Sequence, residues 1–492
     1  MALITIARLS FTHHDGQKIF DQLSLQLDTN WKLGLIGRNG RGKTTFLKLL
    51  QGSCVGSGRI ERPCGMDYFP FPVDNPQHDA FELARQLCPE AAPWQVEKES
   101  SLLDLSPAAL TRPLAALSPG EATKLLLALL FLRENSFLLI DEPTNHLDLR
   151  ARQVLGKYLR RKAGFILVSH DRSLLDTCVD HILALNRTDI ELQRGNFSSW
   201  HTNRQRQNSQ ELAEQGSLKK ELVRLEESAR RSANWSDRTE KGKYGNGPVD
   251  RGFIGHKAAK MMQRAKAVEA RRNRAAQDMR QLLHNVEEVR PLGMKFPKFH
   301  GKRLLELRSL ALAYGEQPFV RDLSFSLEQG ERLALCGKNG SGKSSLLKAI
   351  CGELTACAGE LSVPGDLRIS RVVQDTGHLV GPLGRFAEEQ GVGESLLRAV
   401  LHRLGLERGH FETDLAALSA GQKKKALLAA SLCQEAHLYI WDEPLNYIDA
   451  LSRLQVEEVL LEHQPSLIFV EHDQGFVDRV ATRLLDMDNF TA

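Results

Sequence analysis

No stretch of this sequence is apolar for long enough to cross a membrane. The longest uninterrupted apolar run, Leu125 to Leu132, falls far short of the ~20 residues a spanning helix requires. The opening MALITIARLS reads as an alternating strand, not as a basic segment ahead of an apolar signal core. These two absences predict a cytoplasmic protein with no membrane partner. The eight cysteines (Cys54, Cys64, Cys88, Cys178, Cys336, Cys351, Cys357 and Cys433) include no CxxC pair and no metal-ligand spacing with histidine. That excludes zinc modules, and a chain of this size needs no disulfide staples. Excess charge is scarce in total, at +4, but it is unevenly spread. Between His201 and Lys302 there are 23 lysines and arginines against 12 acids, a surplus of 11 that leaves the rest of the chain at −7.

What is present, at 492 residues, is too much chain for one hydrophobic core. It is also repetitive. GRNGRGKTT at Gly37 returns as GKNGSGKSS at Gly337, LSPGE at Leu117 as LSAGQ at Leu418, LLIDEPTNHLD at Leu138 as LYIWDEPLNYID at Leu438, and VSHD at Val168 as VEHD at Val470. Four matches in one order at nearly one offset make two copies of a single domain, 1–201 and 303–492, with an unrelated segment, 202–302, between them. In each copy apolar strands alternate with helices: Trp31 to Ile36 runs into the glycine-rich turn, Thr44 to Leu50 opens a helix, and Phe137 to Ile140 is a buried strand. The expected fold class is α/β with a parallel sheet, two P-loop domains in tandem.

A Gly-x-x-x-x-Gly-Lys-[Thr/Ser] run between a strand and a helix turns backbone N–H groups toward phosphates. It assigns ATP contacts to Gly37, Asn39, Gly40, Gly42, Lys43, Thr44 and Thr45, and to Gly337, Asn339, Gly340, Gly342, Lys343, Ser344 and Ser345. Lys43 and Lys343 reach the β and γ phosphates, and Thr44 and Ser344 hold Mg²⁺. Apolar strands then deliver Asp141 and Asp442 as further Mg²⁺ groups, with Glu142 and Glu443 placed to polarise the attacking water.

In that order, the P-loop, LSxGE/Q, apolar-DEP and histidine motifs resemble the ATP-binding cassette ATPases over about 390 residues. The resemblance implies that His170 and His472 are switch residues. It also implies that the LSxGE/Q serine and glycine of each copy complete the other copy's ATP site, so that Ser419 and Gly421 join Lys43 while Ser118 and Gly120 join Lys343. An aromatic upstream of each P-loop stacks on adenine in that family. The matching positions are Phe11 and Tyr314, with an aromatic packed in the core as the competing reading. Gln374 matches the Q-loop glutamine, a Mg²⁺ contact, but the first copy reads MDYFPFPVD there and has none. Pro119 and Ala420 replace the first glycine of LSGGQ, and proline is welcome in a first helical turn.

Between the copies, apolar residues at Leu218, Leu222, Leu225 and Ala229, and from Met261 to Val286, follow helical spacing. Glycines at 242, 245, 247 and 252 separate them, which predicts an α-helical hairpin linker. A helix of about 30 residues reaches roughly 45 Å. Arginines and lysines stud its polar face, Arg271, Arg272 and Arg274 among them, and Trp235, Tyr244 and Phe253 lie near the turn. That combination points to nucleic acid. Tandem cassettes joined by a basic hairpin are similar to the ABC-F group. TNWKLGLIGRNGRGKTT, ANWSDRTEKGK and GFIGHKAAKMM resemble its Lsa-type antibiotic-resistance branch. The sequence has no long insertion in the first copy and no basic tail after Phe490, which also favours that branch.

What the resemblance implies is a monomeric ATPase that binds the ribosome at the tRNA exit site and touches rRNA. Its linker extends toward the peptidyl-transferase centre, protecting against lincosamides, streptogramin A compounds and pleuromutilins, and ATP hydrolysis drives release. A drug-independent translation factor of the same group is the alternative, and the ATPase subunit of a drug exporter a more distant one.

Overall fold

The computed structural model describes residues 2–13, 16, 18–145, 147–186, 190–211, 294–314 and 317–491, with isolated positions between 213 and 270. The two helices and the turn expected for 203–289 lie almost entirely outside the described residues, apart from a helix over 197–211. Two compact units emerge. One holds Met1–Leu185, Ile190–Ser198 and Arg290–Ala492, and therefore both copies of the repeat; the other holds Asn186–Asp189 and Ser199–Val289.

Each copy is two-layered. In the first, β1 (Leu3–Thr12), β2 (Lys18–Asp28) and β4 (Ser57–Glu61) form an antiparallel sheet ordered β2-β1-β4. A six-stranded sheet runs β5 (Gly65–Phe69), β6 (Ser136–Asp141), β7 (Phe165–Val168), β3 (Lys32–Gly37), β8 (His181–Leu185), β9 (Ile190–Arg194), parallel except for the β8–β9 pair. The expected strands and helix are there, with edges moved by a residue, and the P-loop helix spans Lys43–Gln51. Phe46, Leu47 and Leu50 of that helix are fully buried between the two sheets. Each contributes about 1.5–3 kcal/mol by leaving water, which fixes the helix whose first turn must meet the ligand.

The second copy repeats the plan. Its antiparallel sheet is β11 (Pro318–Glu328), β10 (Arg303–Ala313), β13 (Ala358–Ser362), and its parallel sheet is β14 (Ile369–Val372), β15 (Leu438–Asp442), β16 (Leu467–Val470), β12 (Arg332–Cys336), β17 (Arg483–Asp486). Short helices between the fifth and sixth strands of each copy (Ala80–Leu87 and Pro93–Leu102; Leu383–Glu389 and Glu394–Arg403) pack on the Pro119–Leu130 and Ala420–Cys433 helices. Among the described residues no helix is long and apolar enough to cross a membrane.

Candidate functional site: two composite clefts

In both copies the glycine-rich turn joins β3 or β12 to a helix in a conformation that only glycine adopts at low cost. Gly40 and Gly42 have φ of +84° and +83°, Gly340 and Gly342 +85° and +87°. A Cβ on Gly42 would stand 2.4 Å from Ile19 Cγ2, and one on Gly342 2.7 Å from Val320 Cγ2. Inside each turn the lysine folds back over the loop. Lys43 Nζ donates to Gly37 O at 2.8 Å and Arg38 O at 3.2 Å, Lys343 Nζ to Gly337 O at 2.9 Å and Lys338 O at 2.6 Å. The Gly42→Ala variant should raise the ATP concentration for half-saturation at least tenfold, since an alanine held at positive φ costs about 1–2 kcal/mol before the clash is counted. Equilibrium nucleotide titration checks it, and unchanged affinity would deny the loop its role.

The LSxGE/Q motif is, physically, a capping box. Ser118 Oγ accepts from Glu121 N while Glu121 accepts from Ser118 N at 2.9 Å; Ser419 and Gln422 repeat this. Each box aims the positive end of a helix into a cleft. The clefts are shared between the copies. The first, about 510 Å³, is walled by Asn39, Gly40, Gly42, Lys43, Thr44, Thr45, Asp141, Glu142 and His170 of copy one and by Ser419, Gly421 and Tyr447 of copy two. The second, about 740 Å³, brings Asn339, Gln374, Glu443 and His472 of copy two against Ser118 and Gly120 of copy one. Ser419 and Gly421 thus border the same cavity as Lys43, and Ser118 and Gly120 the same cavity as Glu443 and His472. Lys343, Ser344, Asp442 and Tyr314 do not line the second cavity.

Each catalytic-position glutamate sits at positive φ, +48° for Glu142 and +47° for Glu443. Their amides donate to Val168 O at 2.9 Å and Val470 O at 3.0 Å, so the neighbouring strand holds the turn. His170 Nε2 lies 3.2 Å from Glu142 Oε1 and His472 Nε2 3.4 Å from Glu443 Oε1. Beyond this the two sites differ. Burial pushes the Glu142 carboxyl up to about 7, with Lys43 opposing and Asp141 reinforcing. Burial also works upward on Glu443, but hydrogen bonding and charge from His472, together with Gln374 and Lys424, outweigh it and hold this carboxyl below its usual value. Gln374 Nε2 donates to Glu443 Oε2 at 2.8 Å, and Asn446 donates to the same oxygen. Burial first, then the Lys43 and Arg453 cations, keep His170 well below the ordinary histidine value.

The first copy has no such glutamine. Tyr68 faces Leu139 as Arg371 faces Ile440, so Phe71 stands where Gln374 does. Tyr68 Oη instead donates to Asp141 Oδ2 at 2.9 Å, the oxygen that also accepts from Thr44 Oγ1 at 2.7 Å. The donor set fits Mg²⁺. Hydroxyl and carboxylate oxygens meet; among the described residues, Asp442 Oδ1 is buried without a hydrogen-bond partner, and no cluster forms an all-protein metal cage. Mg²⁺ suits such a site because it is held by one or two protein oxygens together with phosphates.

Sequence reasoning paired the wrong aromatic position. Strand register sets Phe11 opposite Phe20 and Leu312 opposite Val320, so Phe11 corresponds to Leu312 and the residue corresponding to Tyr314 is His13. Phe11 packs against the core of the first copy, whereas His13 lines the first cleft. Tyr314 is exposed, stacks on Phe319 with ring centroids 5.2 Å apart, and its hydroxyl lies 3.2 Å from Ser345 Oγ. Tyr447, Asn145 and Lys338 were also missed. Tyr447, at φ +62°, accepts from Asn39 Nδ2 at 2.7 Å, and its carbonyl would be 2.7 Å from a Cβ on Gly421. The position after DEP-x-Asn carried the signal, since it follows a motif that both copies repeat.

The family model for the ABC transporter matches residues 20–145 and 320–446. The chain is 28% identical over 499 residues to the ribosome protection protein VmlR of Bacillus subtilis, covering 99% of this chain and 87% of that one. It is also 28% identical to the ATP-binding protein Uup of Caulobacter vibrioides, across 96% of this chain and 76% of that protein. Among solved structures, that of the archaeal ribosome recycling factor aABCE1 with a ribosomal stalk protein aligns over 97% of this chain and 87% of that chain, with a TM-score of 0.64 and 18% identity. That likeness is one of fold. With a match in both halves and over more than half its length, the chain belongs to the ATP-binding cassette family, as a tandem ATPase of the ABC-F type that binds and hydrolyses ATP.

Proposed function

We propose that this ATPase binds the ribosome and protects it from antibiotics of the lincosamide, streptogramin A and pleuromutilin type. ATP closes the two copies, the basic segment 202–302 meets rRNA near the tRNA exit site and extends toward the peptidyl-transferase centre, and hydrolysis releases the protein. The carrying observation is the near full-length match to a protein named for ribosome protection, combined with a surplus of 11 positive charges confined to one segment. Lys43 and Lys343 bind phosphate in this reading. Thr44, Asp141, Ser344, Asp442 and Gln374 hold Mg²⁺, which supplies charge neutralisation when bound. Glu142 and Glu443 take the proton of the attacking water, with His170 and His472 orienting them. His13 and Tyr314 contact the base. The protein acts as a cytoplasmic monomer.

The alternative is a translation factor acting on stalled ribosomes without any drug. Growth of a sensitive host expressing the chain, with and without lincomycin or tiamulin, separates the two. Protection requires a raised inhibitory concentration, and unchanged sensitivity favours the translation factor. Within either reading, neutralising Arg271, Arg272 and Arg274 should lower the log–log salt slope of ribosome binding by about 0.7–0.9 for each phosphate no longer neutralised, with nucleotide affinity intact. An unchanged slope would mean that these arginines only face solvent.

A further inference from the structure

Lys424 is a lysine with almost no access to water, 2% exposed, in the middle of the Ala420–Cys433 helix. Among the described residues it has no carboxylate at hydrogen-bond distance. Its Nζ donates to Val373 O at 2.7 Å and to Asp442 O at 3.1 Å, with Gln374 O at 3.5 Å. Those carbonyls lie just past the end of β14 and at the end of β15, the points from which Gln374 and Glu443 depart. Burying an ammonium is costly, so a cation kept here solely to fill space is a poor solution where an apolar side chain would serve. Its three acceptors instead converge on one place, the root of the Gln374–Glu443 hydrogen bond.

The first copy supplies the contrast. The residue corresponding to Lys424 is Thr123, whose Oγ1 donates to Pro119 O of its own helix at 2.9 Å. That copy also lacks the Q-loop glutamine. Buried lysine and loop glutamine occur together in the second copy and are absent together from the first.

We propose that Lys424 is a positioning residue of the second cleft: by clamping the carbonyls of Val373 and Asp442 it holds the Gln374 amide on Glu443, and so holds that carboxylate in the orientation from which it acts on water. This rests on reading Glu443 as the base of that cleft. The same helix begins at Ser419, which borders the first cleft, so one rigid element touches both.

The test is single-turnover hydrolysis in the Glu142→Gln chain, where phosphate release comes from the second cleft. Lys424→Met, which keeps length and removes the donor, should slow the hydrolytic step about tenfold while the ATP concentration for half-saturation moves less than about twofold. Gln374→Ala should do the same. The double variant should be no slower than either single one, because both remove the same interaction. Lys424→Arg, which restores a cation, should recover the rate to within about threefold. If Lys424→Met loses its cooperative thermal transition, Lys424→Thr, which copies the first copy's residue, takes its place in the cycle.

Losses that multiply to about a hundredfold in the double variant, or a loss carried by half-saturation and not by rate, overturn the positioning role. Undiminished hydrolysis in the Glu142→Gln/Glu443→Gln chain would instead overturn the reading of Glu443 itself, which distinguishes the two failures.

Discussion

Replacing Glu142 and Glu443 together by glutamine is expected to lower ATP turnover by about 100-fold to 10,000-fold, the range a positioned general base contributes, while ATP binding is retained. Glutamine keeps the shape at both positions and cannot accept the proton. The turn that carries each residue is fixed by its amide bond to Val168 or Val470, so the backbone needs no adjustment. Lys43 and Lys343 remain on their loop carbonyls, and Ser118 and Ser419 keep their capping boxes. Steady-state phosphate release and a nucleotide titration on the same sample check both halves of the statement. Turnover within about threefold of the unaltered chain would remove both glutamates from the chemistry.

The second large effect is expected at the seam between the copies. Arg172, at the start of the Arg172–Cys178 helix, donates to Glu457 of the Ala450–His463 helix, with Nη1 to Oε2 at 3.2 Å and a second, closer contact through Nη2. Glu457 is wholly buried, and Arg479 Nη1 also reaches its Oε2, at 2.9 Å. The opposite face of the pseudo-symmetric pair has Gln474 and Gly156 at these positions, so this is a one-sided lock.

Removing one member of a buried pair strands the other, at about 3–5 kcal/mol, whereas replacing both by neutral groups is often nearly neutral. Arg479 still pairs Glu457 in Arg172→Ala, so the loss falls below that range, and the ATP concentration that half-closes the chain should rise by about tenfold or more, about 1.4 kcal/mol accounting for each tenfold. Arg172→Gln/Glu457→Gln should lose far less. A fluorophore pair placed across the seam reads the closure. Equal losses in the single and double variants would mean that the pair is incidental to it.

Much of the site was legible because its motifs encode local backbone chemistry. Gly40, Gly42, Gly340 and Gly342 are glycine because φ is positive there, and Ser118 with Glu121, or Ser419 with Gln422, writes a helix start that is recognisable without coordinates. The parallel sheet followed from unbroken apolar runs such as Phe137–Ile140, which must be buried on both faces. The misplaced aromatic shows the limit. Phe11 and Tyr314 are both aromatic residues upstream of a P-loop, but the two first strands share one register against their partners, which sets Phe11 level with Leu312 and His13 level with Tyr314. Residue type alone pointed to the aromatic and passed over the histidine.

Asymmetry was legible only as an absence, the missing glutamine of the first copy. Its physical consequences needed three dimensions. Glu142, with no loop glutamine to donate to it, is pushed up by burial, Tyr68 takes a place on Asp141, and Lys424 serves one copy alone. Lys424 in particular reads in sequence as one charge in the run Lys423, Lys424, Lys425, which surface helices commonly carry. Only packing reveals that the second of the three is buried under two strand ends.

The most direct test of the central claim, that ATP closure of the tandem copies delivers the chain to the ribosome, is co-sedimentation of the Glu142→Gln/Glu443→Gln chain with purified 70S ribosomes in the presence of ATP or ADP. The account predicts near-stoichiometric pelleting with ATP and little with ADP. Recovery of the chain in the supernatant under both conditions would contradict it.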